Sequence, residues 1–197
     1  MGLSRREEII LAATELFAKH GFHAVGMRAI ADAVGIRGSS LYHYFPSKLD
    51  LLHAIALDST RAFIETQLPD VESIPSHASR LRQLLRAHIL YFHEHRQEEA
   101  VGLRELQELR ENAPERYIEI QSIRRVYQTG LERIISEGID AAEFVYDDAH
   151  LATLAVLGLV NSVNDWFRET GRYSIDEVAD AYCDIAVSRI LGARSVR

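Results

Sequence analysis

Apolar side chains recur at the three- and four-residue spacing of an α-helix along almost the whole chain. No stretch shows the sustained alternation of apolar and polar residues that is typical of a β-strand. Serine followed three residues later by an acid, at Ser4, Ser47 and Ser174, is the capping-box pattern of a helix start. The pattern therefore predicts an all-α fold of about nine helices.

The predicted helices lie between glycine and proline stops. A short pair occupies residues 27–34 and 38–45, with Gly35 between them and Pro46 at the end. The stretch from Pro69 to Pro75 is predicted to be an irregular connection. The longer helices are predicted at residues 5–20, 48–67, 79–95, 98–110, 114–137, 147–168 and 175–191.

The short pair has the arrangement of a helix-turn-helix unit, with a tight turn at Gly35–Arg37. Leu41 and Phe45 supply the buried side of the second helix, and serine, tyrosine and histidine occupy its other sides. Hydroxyl groups bond phosphate oxygens, while histidine and arginine reach base edges. The segment therefore predicts DNA binding.

Charge supports this prediction because it is unevenly distributed. Residues 1–50 carry a net charge of +1, and the remainder carries −8. A polyanion would therefore meet the first segment more readily than the rest. The single cysteine, Cys183, has apolar neighbours and excludes an internal disulfide, so we expect a buried thiol and a cytoplasmic protein. No apolar run approaches the ~20 residues of a membrane span.

Three sequence stretches resemble the DNA-binding domain of the tetracycline-repressor (TetR) family. They are FAKHGF at residues 17–22, MRAIA at 27–31 and LYHYFPSK at 41–48. The family patterns are F-x-x-x-G-[FY], T-[VM]-R-x-I-A and L-Y-x-[YH]-F-x-S-K, in the same order and at the same spacing. The chain departs from them at Gly26, where a Thr or Ser cap is usual. Just before the third stretch, Ser39 replaces the glycine that is usual in the family, and Arg37 stands where serine is common. These differences concern base preference and not DNA binding.

The resemblance implies a helix-turn-helix DNA-binding domain at residues 1–50 and a ligand-binding and dimerisation domain at residues 51–197. It also implies a palindromic double-stranded operator and a homodimer. Phosphate contacts are implied for Ser40, Tyr42, Tyr44 and Lys48. Contacts to base edges or their flanks are implied for Arg28, Arg37, Gly38, Ser39 and His43.

In the predicted body, polar side chains interrupt apolar helical stripes, which is the composition of a mostly apolar ligand cavity. Each such residue, taken alone, is more often part of an ordinary core or rim. We expect a hydrophobic effector with one anionic end, similar to a fatty acid, a steroid or an acyl-CoA, with Arg124 meeting the anion. The candidate ligand-binding residues are His88, Tyr91, Phe92, His95, Ile120, Ile123, Arg124, Tyr127, Asn161 and Asp165.

The segment from Asn164 to Gly171 is similar to an R-W-[YF]-R-x-x-G segment of a TetR branch that senses CoA thioesters, with Asp165 in the place of its arginine. The helix before it is rich in small residues, which let two helices approach closely. We expect it to form half of a four-helix dimer interface with the last helix, although a buried hairpin in a monomer remains the alternative. The candidate interface residues are Leu151, Ala155, Gly158, Leu159, Ser162, Tyr182, Ile185 and Arg189.

Together these features predict a ligand-responsive transcriptional regulator, a repressor that leaves its operator when the effector binds. The alternative is a helical protein that binds a small molecule without sequence-specific DNA binding. An enzyme is not expected, because no strand precedes a glycine-rich phosphate loop. The carboxylate-x-x-histidine spacing Asp147-x-x-His150 lacks the supporting glutamates of a two-metal helical site, so no metal and no cofactor are expected.

Overall fold

The computed structural model describes residues 2–67, 73–96, 99, 101–102 and 105–193. None of these residues lies in a β-strand, and nine α-helices have both ends inside the described ranges. The all-α prediction is therefore confirmed. The helices are α1 Arg5–His20, α2 Met27–Ala33, α3 Gly38–Tyr44, α4 Lys48–Gln67, α5 His77–Glu94, α6 Leu106–Asn112, α7 Pro114–Asp140, α8 Ala149–Trp166 and α9 Ile175–Asp184.

Local capping explains most of the helix starts. The predicted capping boxes at Ser4 and Ser174 both form, each with the glutamate three residues later. At the start of α4 the Ser47 hydroxyl oxygen accepts a hydrogen bond from the backbone N–H of Asp50, with an N–O distance of 3.1 Å. The start of α2 has no side-chain cap, as the sequence predicted from Gly26.

The ends of several predicted helices differ from the structure. The last helix was predicted to run to Leu191, but it is α-helical only to Asp184 and continues as a π-helical turn, Ile185–Ile190. The Leu191 amide bonds the Ala186 carbonyl, five residues back, at 3.1 Å. The predicted connection at residues 69–75 and the predicted helix at 98–110 fall partly outside the described residues.

The chain divides into two compact units. The first holds the described residues of Met1–Ala62 and His95–Ile123, and the second holds those of Phe63–Glu94 and Arg124–Arg197. The predicted border between residues 50 and 51 is a division of function and stays a prediction. Packing follows other borders, which lie inside α4 and α7.

The core of the first unit joins α1, α2 and α3 to residues far along the chain. Leu51 and Ile55 of α4 are buried in this core, and so are Val101, Leu109 and Ile120. Burial of each of these side chains stabilises the folded chain by about 2 kcal/mol. The three-helix segment is therefore packed as part of a larger unit.

The second unit is built on α5, which packs against α8 and α9. Leu81, Leu85 and Ile89 of α5 share this core with Val156 and Val160 of α8. Ion pairs also join α5 to α9, from Arg82 to Asp184 at 3.3 Å and from Arg86 to Asp180 at 2.9 Å.

A distant carboxylate caps the start of α5. Burial opposes the charge of Glu143, but hydrogen bonds from the Ala78 amide, from His77 and from the Ser76 hydroxyl outweigh it and lower the pKa of Glu143 to about 2. No helix among the described residues is long and apolar enough to cross a membrane.

Candidate functional site

The first unit presents α2, a turn and α3 with one buried side and one exposed side. Ile30 of α2 and Leu41 of α3 are fully buried, and Gly35 takes a φ of 68° in the turn between the helices. Tyr42 and Tyr44 are large side chains that nevertheless remain 52% and 46% exposed. The predicted helix-turn-helix therefore has a folded core and a free polar face.

The predicted DNA-contact residues divide into two groups by exposure. Exposed residues are Arg28, Arg37, Ser39, Tyr42, His43 and Tyr44, and half-buried ones are Gly38, Ser40 and Lys48. The exposed set combines two guanidinium groups, an imidazole and three hydroxyls. Such a face can donate hydrogen bonds to phosphate oxygens and to purine edges.

Lys48 is engaged inside the unit. Its ammonium donates to the carbonyl oxygens of Phe22 at 2.8 Å and of Val25 at 3.0 Å, and it lies 4.2 Å from the centre of the Phe22 ring. An ammonium has three N–H groups, so one is left for a DNA phosphate. The predicted phosphate contact of Lys48 depends on that single donor.

The second unit contains a cluster of five rings with Phe63 at its centre. The centre of the Phe63 ring lies 4.8–5.3 Å from those of His88, Tyr91, Phe92 and Tyr127, in edge-to-face geometry. The His88 and Phe92 rings stack at 4.7 Å with an interplanar angle of 7°. We call this set the aromatic cluster, and all five of its rings are buried.

His88 is the polar element of the aromatic cluster. Its Nδ1 lies 3.1 Å from the Tyr127 hydroxyl and its Nε2 lies 3.0 Å from Oδ1 of Asn161. With Nε2–H donating to Asn161, Nδ1 accepts from the hydroxyl of Tyr127 and the imidazole is neutral. Burial lowers the pKa of His88 from 6.5 to about 4, against the opposing effect of the Asn161 hydrogen bond. Burial also raises the pKa of Tyr127.

The predicted ligand-binding residues are only partly brought together. His88, Tyr91, Phe92 and Tyr127 form most of the aromatic cluster, and Asn161 bonds to it. Arg124 is half-buried and Asp165 is exposed, both within the second unit. The other three residues, Ile120, Ile123 and His95, belong to the first unit, where Ile120 is fully buried in the core.

Sequence reasoning missed two residues of α4. Phe63 is the centre of the aromatic cluster, and Gln67 follows it by one helical turn on the same face. Gln67 is only 5% exposed, and its Oε1 has no hydrogen-bond partner among the described residues. A glutamine four residues after a phenylalanine on an apolar stripe is the signal that could have found this pair.

An exposed apolar face runs along α8 and the last helix. Leu151, Ala155, Gly158, Ile185 and Arg189 of the predicted interface are exposed, and Leu159, Ser162 and Tyr182 are half-buried. Leu154 and Trp166 extend this face, and the Trp166 indole donates to the Tyr182 hydroxyl at 3.0 Å. A Cβ atom added at Gly158 would meet nothing within 4 Å apart from its own stretch of helix.

The described residues offer no metal site and no activated nucleophile that would favour an enzyme. No group of three histidine, cysteine or acidic side chains in the described part of the chain could hold a metal ion. His150 instead pairs with Glu132 at 3.1 Å. Cys183 is buried as predicted, and burial raises the pKa of its thiol to about 11.

Two family models match the chain. A model described as bacterial regulatory proteins of the tetR family matches residues 9–55. A second, described as a tetracyclin repressor-like C-terminal domain, matches residues 75–190, which is more than half of the chain.

Curated and solved relatives span nearly the whole chain. It is 26% identical over 186 residues to the fatty acid metabolism regulator protein of Bacillus subtilis, covering 93% of this chain and 94% of that protein. It is 27% identical over 186 residues to the transcriptional repressor KstR2 of Rhodococcus jostii, covering 93% and 89%. The crystal structure of AibR with isovaleryl coenzyme A and operator DNA matches with a TM-score of 0.83 at 26% identity, covering 93% and 98%.

The buried neutral state of His88 predicts a loss of stability in weak acid. The unfolded chain binds a proton at His88 near pH 6.5 and the folded chain only near pH 4, so stability falls as the pH is lowered between these values. Between pH 7 and pH 5 the free energy of unfolding should fall by roughly 2 kcal/mol from this residue alone.

Urea unfolding of the wild type and of His88→Gln at pH 5, 6 and 7 measures this contribution. The variant keeps a donor and an acceptor but cannot titrate, so its stability should depend less steeply on pH. Equal pH slopes for the two proteins would contradict the buried neutral imidazole.

Proposed function

This chain belongs to the tetR family of DNA-binding transcriptional regulators, and we propose that it is a dimeric repressor that a hydrophobic or acyl-CoA-like effector releases from a palindromic operator. Proteins of this family are not enzymes, in agreement with the sequence prediction. The observation that carries the proposal is the exposed face of α2 and α3 over a buried core. A small-molecule-binding protein without sequence-specific DNA binding would not account for the exposed polar face of α2 and α3.

The exposed apolar face on α8 and the last helix supports a homodimer. Monomeric proteins rarely leave a contiguous apolar surface of this kind exposed. A two-fold operator also needs two recognition helices at a fixed separation, which a symmetric interface supplies. Small residues at Ala155 and Gly158 fit close approach of a second copy.

The aromatic cluster supports an effector whose inner part is uncharged. His88 is neutral at physiological pH, and the rings around it carry no charge. Burying a carboxylate beside them would cost several kcal/mol without a cation. We therefore assign the apolar acyl or ring portion of the effector to the aromatic cluster, and its anionic end to Arg124.

Similar proteins support the same class of effector. AibR, at 26% identity, has been crystallised with isovaleryl coenzyme A and operator DNA. The relative from Bacillus subtilis is named as a regulator of fatty acid metabolism. Both names fit an effector with an acyl group that contacts aromatic side chains.

Helix α4 provides a direct route from effector to DNA. It is one continuous helix from Lys48, just after the recognition helix, to Phe63 and Gln67 at the aromatic cluster. A ligand that displaces the Phe63 ring would shift this helix. Because half-sites are read at a fixed separation, a small shift would be enough to lose the operator.

Two substitutions distinguish phosphate contacts from base contacts. Tyr42→Phe should weaken binding by about tenfold to every duplex tested, because phosphate contacts carry no sequence information. His43→Ala should instead change which bases are preferred. Selection of duplexes from a random library, followed by fluorescence anisotropy, measures both effects. Tyr173→Phe, an exposed tyrosine of the second unit, is the matched control. Altered base preference in Tyr42→Phe would contradict its role.

The interface is tested by Gly158→Leu. Because a Cβ atom at this position has nothing within 4 Å apart from its own stretch of helix, the variant should fold normally as a monomer and lose operator binding. Sedimentation together with circular dichroism separates assembly from folding. A folded dimer with wild-type affinity would exclude this face as the interface.

The effector class is tested with straight and branched acyl-CoAs, the matching free acids and CoA alone. Acyl-CoAs should change the fluorescence of Trp166 and release the selected duplex. Arg124→Ala should weaken the response to acyl-CoAs, whereas Arg125→Ala, its exposed neighbour, should not. Release by a hydrophilic compound and by no acyl compound would refute the apolar site.

A further inference from the structure

Phe22 is held by three different elements of the first unit. Its amide donates to Oε1 of Glu105 at 3.2 Å, and its carbonyl oxygen accepts from the ammonium of Lys48 at 2.8 Å. Its ring packs edge-to-face on Phe17 of α1 at 5.3 Å. The next residue, His23, contacts Oε1 of Glu108 through Nε2 at 2.6 Å. The loop that leads into α2 is therefore fixed by carboxylates more than 80 residues away in sequence.

The chain that leaves α3 is held by the same later segment. Arg116 of α7 forms an ion pair with Asp50, in the first turn of α4. The Asp50 carboxylate also accepts a hydrogen bond from the hydroxyl of Ser47, and Ser47 lies three residues after the end of α3. Oε2 of Glu119 lies 3.0 Å from Nε2 of His53, one turn further along α4. Residues 105–119 thus contact the chain on both sides of the helix-turn-helix.

Short helices need this kind of support. The helices α2 and α3 have only seven residues each, and neither has a side-chain hydrogen bond at its start. Isolated helices of this length do not hold their shape in water. The direction of α2 and α3 relative to the DNA therefore depends on the loop before α2 and on the start of α4. Both of these stretches contact residues 105–119.

We propose that Glu105, Glu108 and Arg116 are positioning residues for DNA recognition. They do not touch DNA, but they set the angle at which α2 and α3 meet the major groove. The proposal uses the DNA-binding part of the function alone and is independent of any effector.

The contacts made by Glu105, Arg116 and Glu108 differ in how much free energy their loss would cost. Phe22 is buried, so loss of Glu105 leaves a backbone N–H without a partner in the core, which is the most costly change. The Arg116–Asp50 pair is partly buried at both ends. The His23 side chain is 77% exposed and contributes least, because solvent screens its contact with Glu108.

The test uses the whole 197-residue chain and a duplex that the wild type selects from a random library. Glu105→Leu and Arg116→Met should each raise the Kd for this duplex by about tenfold and leave the Kd for random-sequence DNA within about twofold. The phosphate contacts survive, whereas the base contacts lose their alignment. Glu105→Gln keeps the acceptor oxygen, and Arg116→Lys keeps the charge, so both should recover most of the affinity.

Hydrogen exchange gives a readout at the proposed contact. The Phe22 amide should exchange faster in Glu105→Leu than in the wild type and Glu105→Gln, while amides in the middle of α1 stay protected. Glu111→Leu is the matched control, since this exposed side chain of α6 bonds only Gln107 of its own helix among the contacts of the described residues.

Two outcomes would overturn the proposal. One is wild-type affinity for the selected duplex despite fast exchange at Phe22. The other is a parallel loss of affinity for selected and random DNA together with a lower unfolding midpoint, which is the signature of general destabilisation. If Glu105→Leu does not fold, Glu108→Leu, which removes the acceptor for the exposed His23, should still raise the Kd for the selected duplex two- to threefold. An unchanged Kd in that variant would also contradict the proposal.

Discussion

The DNA-binding part of this protein depends on the burial of Val101, Leu109 and Ile120 in the core of its first helices. The seven-residue helices α2 and α3 are too short to be stable alone. Leu109 and Ile120 are fully buried in the same core as Ile30 and Leu41. Because burial of each of these side chains contributes about 2 kcal/mol, the recognition helices depend on Leu109 and Ile120 staying in this core.

Polar contacts add direction to this apolar support. Hydrophobic burial is proportional to area and has little preference for angle. The hydrogen bonds of Glu105 and Lys48 to the backbone at Phe22 have fixed donors and acceptors, and so they define one orientation of the loop before α2. The same division of roles recurs at the start of α5, where Glu143 accepts two backbone amides.

The second unit differs from the first in that the polar group at its centre is uncharged. Its aromatic cluster keeps a histidine neutral by burial and satisfies both ring nitrogens with uncharged partners. An ionic network at this depth would exclude an apolar molecule, whereas edge-to-face rings offer it a surface of similar polarity. The hydrogen bonds from Tyr127 to His88 and from His88 to Asn161 end on α8, the helix that also carries the exposed apolar face. Under the proposed function, effector contact and subunit contact would therefore share one helix.

The sequence alone determined the all-α class, the capping boxes at Ser4 and Ser174 and the helix-turn-helix at residues 27–45. These features follow from local rules, because periodicity and capping involve residues only three or four positions apart. The grouping of His88 with Tyr91 and Phe92 was also predictable, since all three lie on one helix.

Only the tertiary structure decided which distant segments meet. Ile120 was predicted in the ligand site and instead fills the first core, while Phe63 became the centre of the aromatic cluster. Helical periodicity shows that a side chain is buried, but it carries no information about which of several similar apolar faces it meets. The contacts of Glu105 with Phe22 and of Arg116 with Asp50 could not be predicted for the same reason. A charged helix segment is ordinarily interpreted as solvent-exposed surface until its partners are known.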